Sequence, residues 1–143
     1  RKARYEKHIC NRNYYCHNVL LDQSQTYYMT GFERLIIDIR MHDLGRFIRK
    51  LMSQDEYMWD FEKCSEVIKS YDSIINISKQ ELGILLSIII FPYRFYKLGK
   101  NIYEKHKSTI DPKYLKRLDE QIECVKYKQK FIDSFKDYYG ISI

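Results

Sequence analysis

A chain of 143 residues is long enough for one domain with a real core and too short to expect several. With 45% apolar residues it is not a disordered chain, and its longest apolar run, Leu82 to Phe91, broken by Gly83 and Ser87, is too short to cross a bilayer. The net charge of +6 is uneven, ten Lys/Arg against five Asp/Glu in residues 1–50 and fifteen against fourteen in residues 51–143, so the excess sits in the first third, where it could attract phosphate or nucleic acid but reads more plainly as a solvated basic surface.

The first informative stretch is Ile-Cys-Asn-Arg-Asn-Tyr-Tyr-Cys-His-Asn-Val-Leu-Leu, residues 9–21. It gathers polar and aromatic groups just before a strand-like Val19-Leu20-Leu21, an arrangement that points to a site. Val19-Leu20-Leu21 and Tyr27-Tyr28-Met29 read as two short strands joined by the polar turn Asp22-Gln23-Ser24-Gln25, a hairpin. Leu35-Ile36-Ile37 follows after Gly31.

The rest reads as helix, as five Gly and two Pro in the whole chain favour. Leu44, Phe47, Ile48, Leu51 and Met52 form one apolar stripe at i, i+3, i+4, i+7 and i+8, with Asp43 just before it as a candidate cap. Phe61, Cys64, Val67, Ile68 and Tyr71 form a second stripe. Ser78-Lys79-Gln80-Glu81 is a capping box for a third, apolar helix, expected to run past Pro92 with a kink. Asp111-Pro112 opens a fourth, whose stripe is Leu115, Leu118, Ile122, Val125, Ile132 and Phe135 and which Gly140 ends. There is no internal repeat and no linker.

From Ile9 to Phe47 the order is loop, Asn, hairpin, Gly-Phe-Glu, then His-Asp-Leu opening a helix. This resembles the C-terminal lobe of the aminoglycoside and choline kinase-like phosphotransferases, and within that fold the bacterial spore-coat CotS family. The residues that carry the resemblance are Phe32-Glu33, then Arg40-Met41-His42-Asp43-Leu44-Gly45-Arg46-Phe47-Ile48-Arg49, then Trp59-Asp60-Phe61, Tyr71-Asp72-Ser73-Ile74, and Leu86 through Phe91-Pro92 to Phe95-Tyr96. The resemblance implies a mostly α fold over residues 1–143: the helical C-terminal lobe of a protein-kinase-like fold with a small β-hairpin near the N-terminus. The chain opens on Arg, not Met, and nothing before Ile9 would supply the nucleotide-covering lobe of such a fold; two alternatives stay open, a fragment of a longer chain with that lobe upstream, or a protein without it.

In the family pattern an Asp accepts the proton of the attacking hydroxyl, an Asn five residues on binds a metal, and an Asp after the hairpin holds the metal ions that neutralise the phosphates. Carried onto this chain, the catalytic Asp position is Asn13, the metal-binding Asn is Asn18, and the metal-binding Asp position is Gly31, followed by Phe32 and Glu33. Asn13 is a neutral amide and no base at neutral pH. Gly31 offers no side chain. Glu33 stands at a different strand position from the missing Asp. No catalytic or metal-binding set is therefore intact, and no cofactor is expected; ATP and magnesium belong to the alternative of a phosphotransferase with an altered active site. A sharper alternative is a rebuilt site in which Arg12 holds an anion beside Asn13. Asp43 is read as a structural carboxylate that caps its helix and braces the loop.

Other groupings have plainer readings. His8, Cys10, Cys16 and His17 match no zinc spacing, and packed thiols with a loop histidine account for them. The four cysteines, scattered and without a disulfide pattern or a secretory signal, fit a reduced intracellular setting. Tyr14, Tyr15, Tyr27 and Tyr28 near basic residues could stack on bases, but no nucleic-acid module accompanies them and no nucleic-acid or membrane partner is expected. The resemblance implies a non-catalytic, kinase-like spore coat protein that acts through contacts with other spore coat or sporulation proteins, made in the cytoplasm of the sporulating cell and placed in the coat.

Overall fold

The computed structural model describes residues 6–104 and 112–142. Four three-residue strands come first: β1 (His8–Cys10), β2 (Val19–Leu21), β3 (Tyr27–Met29) and β4 (Ile36–Asp38). β2 and β3 form the expected antiparallel hairpin, with Val19 opposite Met29. Its turn is closed by Asp22, whose Oδ1 accepts from the Ser24 amide at 2.8 Å and the Thr26 amide at 2.9 Å, the local bonding that makes Asp a turn residue. β1 and β4 pair antiparallel, with Cys10 opposite Ile36. This second ladder closes the ends of residues 11–35, so the opening loop and the hairpin are held as one looped-out unit.

Among the described residues six α-helices follow: α1 (Met41–Met52), α2 (Phe61–Asp72), α3 (Lys79–Ile90), α4 (Tyr93–Glu104), α5 (Pro112–Glu123) and α6 (Val125–Tyr139). The fold is mostly α. The α3 capping box is complete: the Ser78 hydroxyl accepts from the Glu81 amide and the Glu81 carboxylate accepts from the Ser78 amide. Asp60 caps α2 by accepting from the Glu62 amide at 2.8 Å and the Lys63 amide at 3.3 Å. Gly140 ends α6 at φ +60, a conformation glycine adopts freely.

Three boundaries differ from the sequence reading. α1 begins at Met41, two residues before its expected cap, and Asp43 lies inside the first turn. The apolar helix ends at Ile90, because Pro92 has no N–H to continue the ladder, and α4 starts at Tyr93 with the two axes bent by 55°. The last helix is two, broken at Cys124, whose ψ of −6 is flatter than a helix requires. Beyond that break Phe131 and Phe135 are buried, whereas Ile122 and Val125 on the expected stripe are exposed. The expected cap Asp111, and the side chains of Leu115 and Leu118, lie outside the described residues.

The core sits where α1, α3 and α6 meet. Met41, Ile48 and Met52 from α1, Leu85, Leu86 and Ile89 from α3, and Phe131 and Phe135 from α6 are all buried. Phe61 of α2 lies between 5.5 and 6.2 Å, centroid to centroid, from Phe131, Phe135, Tyr138 and Tyr139, mostly edge-on as ring quadrupoles favour. α1 and α3 approach closely because Gly45 faces Ile88: a Cβ there would lie 2.7 Å from Ile88 Cγ2. Among the described residues no single helix is long and apolar enough to cross a membrane.

Candidate functional site

The loop between β1 and the turn at Cys16–Asn18 is shaped from below by Asp43. Its Oδ2 accepts from the Asn11 amide at 2.6 Å and its Oδ1 from the Arg12 amide at 2.8 Å. The carboxylate is thus turned away from its own helix, whose N-terminus has no side-chain cap, and toward the loop. Bonds to a carboxylate from two backbone amides are of the stronger, charge-assisted kind. They hold Arg12 at φ +56, a left-handed conformation that needs such support in a residue other than glycine. Asn11 is buried; its Oδ1 accepts from the Asn13 amide at 2.9 Å, while its Nδ2 has no partner among the described residues.

Asn13, Asn18, Gly31 and Glu33 converge. The Asn18 Nδ2 donates to the Asn13 carbonyl at 2.7 Å. The Asn18 carbonyl accepts from the Thr30 amide at 2.8 Å, which ties the hairpin's end to the loop. Gly31 has φ +80, and a Cβ on it would stand 2.7 Å from Asn18 Nδ2 and 3.1 Å from Asn13 Nδ2. A Cβ here would press on the side-chain amides of Asn18 and Asn13, which would have to shift to admit it. Asn13 donates through Nδ2 to Glu33 Oε1 at 3.2 Å, so Glu33 does reach the cluster. The sequence left an inward reach of Glu33 open from a different strand position; β3 in fact ends at Met29 and Phe32–Arg34 is a 3-10 turn, where a period of two does not apply.

The chemistry of the cluster follows from its atoms. Asn13 presents an amide N–H to Glu33 and has no basic lone pair for a substrate proton. A hard divalent cation prefers several oxygen ligands, carboxylates above all. Here one exposed carboxylate, the neutral amide oxygen of Asn18 and a glycine with no side chain make a poor set for magnesium.

The other sequence candidates do not gather at this point. Cys10 is buried, and burial together with the charges of Asp43 and Asp38 pushes its thiol above the ordinary value, as fits a packed thiol rather than a nucleophile. His8, Cys16 and His17 join it in no metal-holding group among the described residues. Tyr14 packs on Phe47 at 5.1 Å, and the Lys50 ammonium lies 3.5 Å from the centre of the Tyr15 ring.

Sequence reasoning missed one structural partner of the site. Arg40, the residue that opens the Arg-x-His-Asp-Leu segment, forks onto Glu81, with Nε donating to Oε1 at 2.7 Å and Nη2 to Oε2 at 2.8 Å, and Nη2 also reaches the Asn76 carbonyl at 2.6 Å. The same Glu81 carboxylate closes the α3 capping box. Arg40 first of all, with the Ser78 amide and hydroxyl, outweighs the effect of burial and holds the Glu81 carboxyl at about 2. This junction ties the start of α1, and with it Asp43, to the start of α3. The capping box was the signal that marked Glu81; its distant arginine lies 41 residues away and left no local trace.

Two comparisons bear on this arrangement. The family model described as "Spore coat putative kinase YutH" matches residues 2–135. The crystal structure of an aminoglycoside phosphotransferase from Alicyclobacillus acidocaldarius is similar at a TM-score of 0.80 and 20% identity, over 94% of this chain and 39% of that one. At that identity the likeness shows a shared kinase-like fold, and this chain spans about two-fifths of that protein's length.

Proposed function

The chain belongs to the spore-coat YutH family, and from that premise we propose that it is a non-catalytic, kinase-like protein of the spore coat that acts through protein–protein contacts. The observation that carries the reading is Gly31, where the position of a metal-holding carboxylate is a glycine whose Cβ would press on the side-chain amides of Asn18 and Asn13. Asn13 in the place of the proton acceptor supports it independently. Its partners are other coat or sporulation proteins, and it passes from the cytoplasm of the sporulating cell to the coat. Apolar surface for such contacts is available: Ile9 and Ile37, opposite one another on β1 and β4, are 77% and 71% exposed. The test is titration of the purified chain with ATP and magnesium, with turnover measured in parallel. No magnesium-dependent turnover is expected.

One observation favours a second reading, a phosphotransferase for a small hydroxylated molecule with an altered active site, using ATP and magnesium. Glu33 brings a carboxylate to the cluster from a position two residues beyond the missing one. Turnover lost in both Asn18→Ala and Glu33→Gln would establish that reading and overturn the first.

A further inference from the structure

Beside the loop opens a groove of about 710 Å³. Four arginines line it: Arg12 from the loop, Arg34 from the turn after Gly31, and Arg46 and Arg49 from α1. Arg46 and Arg49 are three apart on one helix and so project from the same face. No carboxylate lines the groove, and among the described residues none of the four guanidiniums has an ion-pair partner. A compensating charge comes from Asp38, which does not line the groove but interacts with Arg12. Burial would raise its pKa, but the Ile39 amide, His42 and the Arg12 charge outweigh that and hold the carboxylate below its ordinary range. Its bond, at 2.7 Å, is to His42 rather than to an arginine.

A solvated basic face would look different. Arg49 is half-buried, with Nη1 donating to the Ile88 carbonyl at 3.3 Å and its guanidinium 5.0 Å from the centre of the Tyr93 ring. Burial, and after it the like charge of Arg46, push the Arg49 pKa down, the mark of a cation held in place without a counter-charge. The far wall is aromatic: Tyr93 and Tyr96 expose 45% and 52% of their surface at the start of α4. Guanidinium forks match phosphate oxygens, and exposed rings accept a flat apolar body.

We infer that the groove is a binding site for a small phosphate monoester that carries a ring, the phosphate held by the arginines and the ring against Tyr93 and Tyr96. The site needs no metal and no phosphoryl transfer, so it goes beyond the proposed function and stands whether or not ATP is turned over.

The test is calorimetric titration of the purified chain with phenyl phosphate, inorganic phosphate and benzyl alcohol at low ionic strength. Phenyl phosphate is expected to bind with a Kd below about 1 mM, inorganic phosphate at least about tenfold more weakly, and benzyl alcohol not at all. Arg46→Gln and Arg34→Gln should each weaken phenyl phosphate by about tenfold or more, the loss of one charge-assisted contact. Arg34 is exposed, so its variant keeps the fold. Lys126→Gln, an exposed change on α6, should leave binding unaltered. Absence of saturable phenyl phosphate binding, or equal weakening by Lys126→Gln, would overturn the site. Inorganic phosphate bound as tightly as phenyl phosphate, or benzyl alcohol bound as well as either, would overturn the ring-bearing phosphate as its ligand.

Discussion

Asp43 and Glu81 are the two carboxylates on which this fold hangs its site, and they act by different means. Asp43 satisfies two loop amides, at 2.6 and 2.8 Å. Asp43→Ala is expected to lower stability by roughly 1–2 kcal/mol or more, because both N–H groups lose a charged partner and Arg12 loses the support for its positive φ. An unchanged urea midpoint would show that the loop holds its shape without it. Glu81 carries a pH signature. Its carboxyl ordinarily titrates near 4.5 and in the folded chain near 2, so the folded state favours the ionised form. The stabilisation is fully present above pH 4.5 and is lost as pH falls through about 2. Both partners are largely buried, 18% and 19% exposed at the side chain, so most of the effect survives solvent screening, up to about 3 kcal/mol. Glu81→Gln should flatten the acid limb of the stability curve over that window, read as denaturant midpoint against pH; an acid limb identical to wild type would assign the loss to other groups. Asp43 was legible as a brace only through the family resemblance, since its partners are backbone amides 31 and 32 residues away.

Among the elements, the closest approach is between α1 and α3, and Gly45 permits it. In an exposed helix Gly→Ala adds stability, by up to about 1 kcal/mol. Here the sign reverses, because the added methyl would sit 2.7 Å from Ile88 Cγ2 and 2.9 Å from Ile88 Cβ on a packed helix with no flexible end to yield. Gly45→Ala should cost roughly 1–3 kcal/mol. The double variant Gly45→Ala with Ile88→Ala should cost less than the sum of the two single changes, since each makes room for the other. Strict additivity in thermal melts would separate the two residues. The resemblance included Gly45 but no helix rule explains a glycine at that point; its reason lies in the opposite helix. The helix starts at Asp60 and Ser78 were readable because a cap is a local bond, written within three residues. The break at Cys124 was not. The stripe from Leu115 to Phe135 runs on through it, and only the tertiary environment separates exposed Ile122 and Val125 from buried Phe135. Phe131, one turn before Phe135 and buried, fits the same period and was the apolar residue the stripe should have included.

For the whole molecule the question is whether the kinase-like lobe keeps its shape around a lost chemistry or around a changed one. The candidate positions Asn13 and Gly31 were legible in the sequence, because they fall at set distances from Asn18 and Phe32. The approach of Glu33 was left open by the sequence, because it depends on the 3-10 turn at Phe32–Arg34. On the non-catalytic reading, restoring the two side chains is expected to leave the chain silent. Gly31 lies at φ +80, where a side chain costs about 1 kcal/mol in the backbone alone. Its Cβ would also strike Asn18 Nδ2, which bonds the Asn13 carbonyl. A carboxylate returned at 31 would therefore displace the amide that was to share the metal with it. Asn13→Asp would bring a second charge toward Glu33, whose Oε1 now accepts from the Asn13 amide at 3.2 Å, and turn a hydrogen bond into a repulsion. The expected outcome for Asn13→Asp with Gly31→Asp is no magnesium-dependent ATP turnover and a denaturation midpoint lower than that of the wild-type chain. On the non-catalytic reading each of the two changes alone lowers the rate by orders of magnitude, because phosphoryl transfer rests on positioning and charge neutralisation rather than on covalent help from the protein. Turnover by the double variant beside a silent wild type would show that the loop had only been waiting for two carboxylates. Turnover by the wild type, lost in Asn18→Ala, would move the chemistry to Glu33 and make the cluster an altered active site.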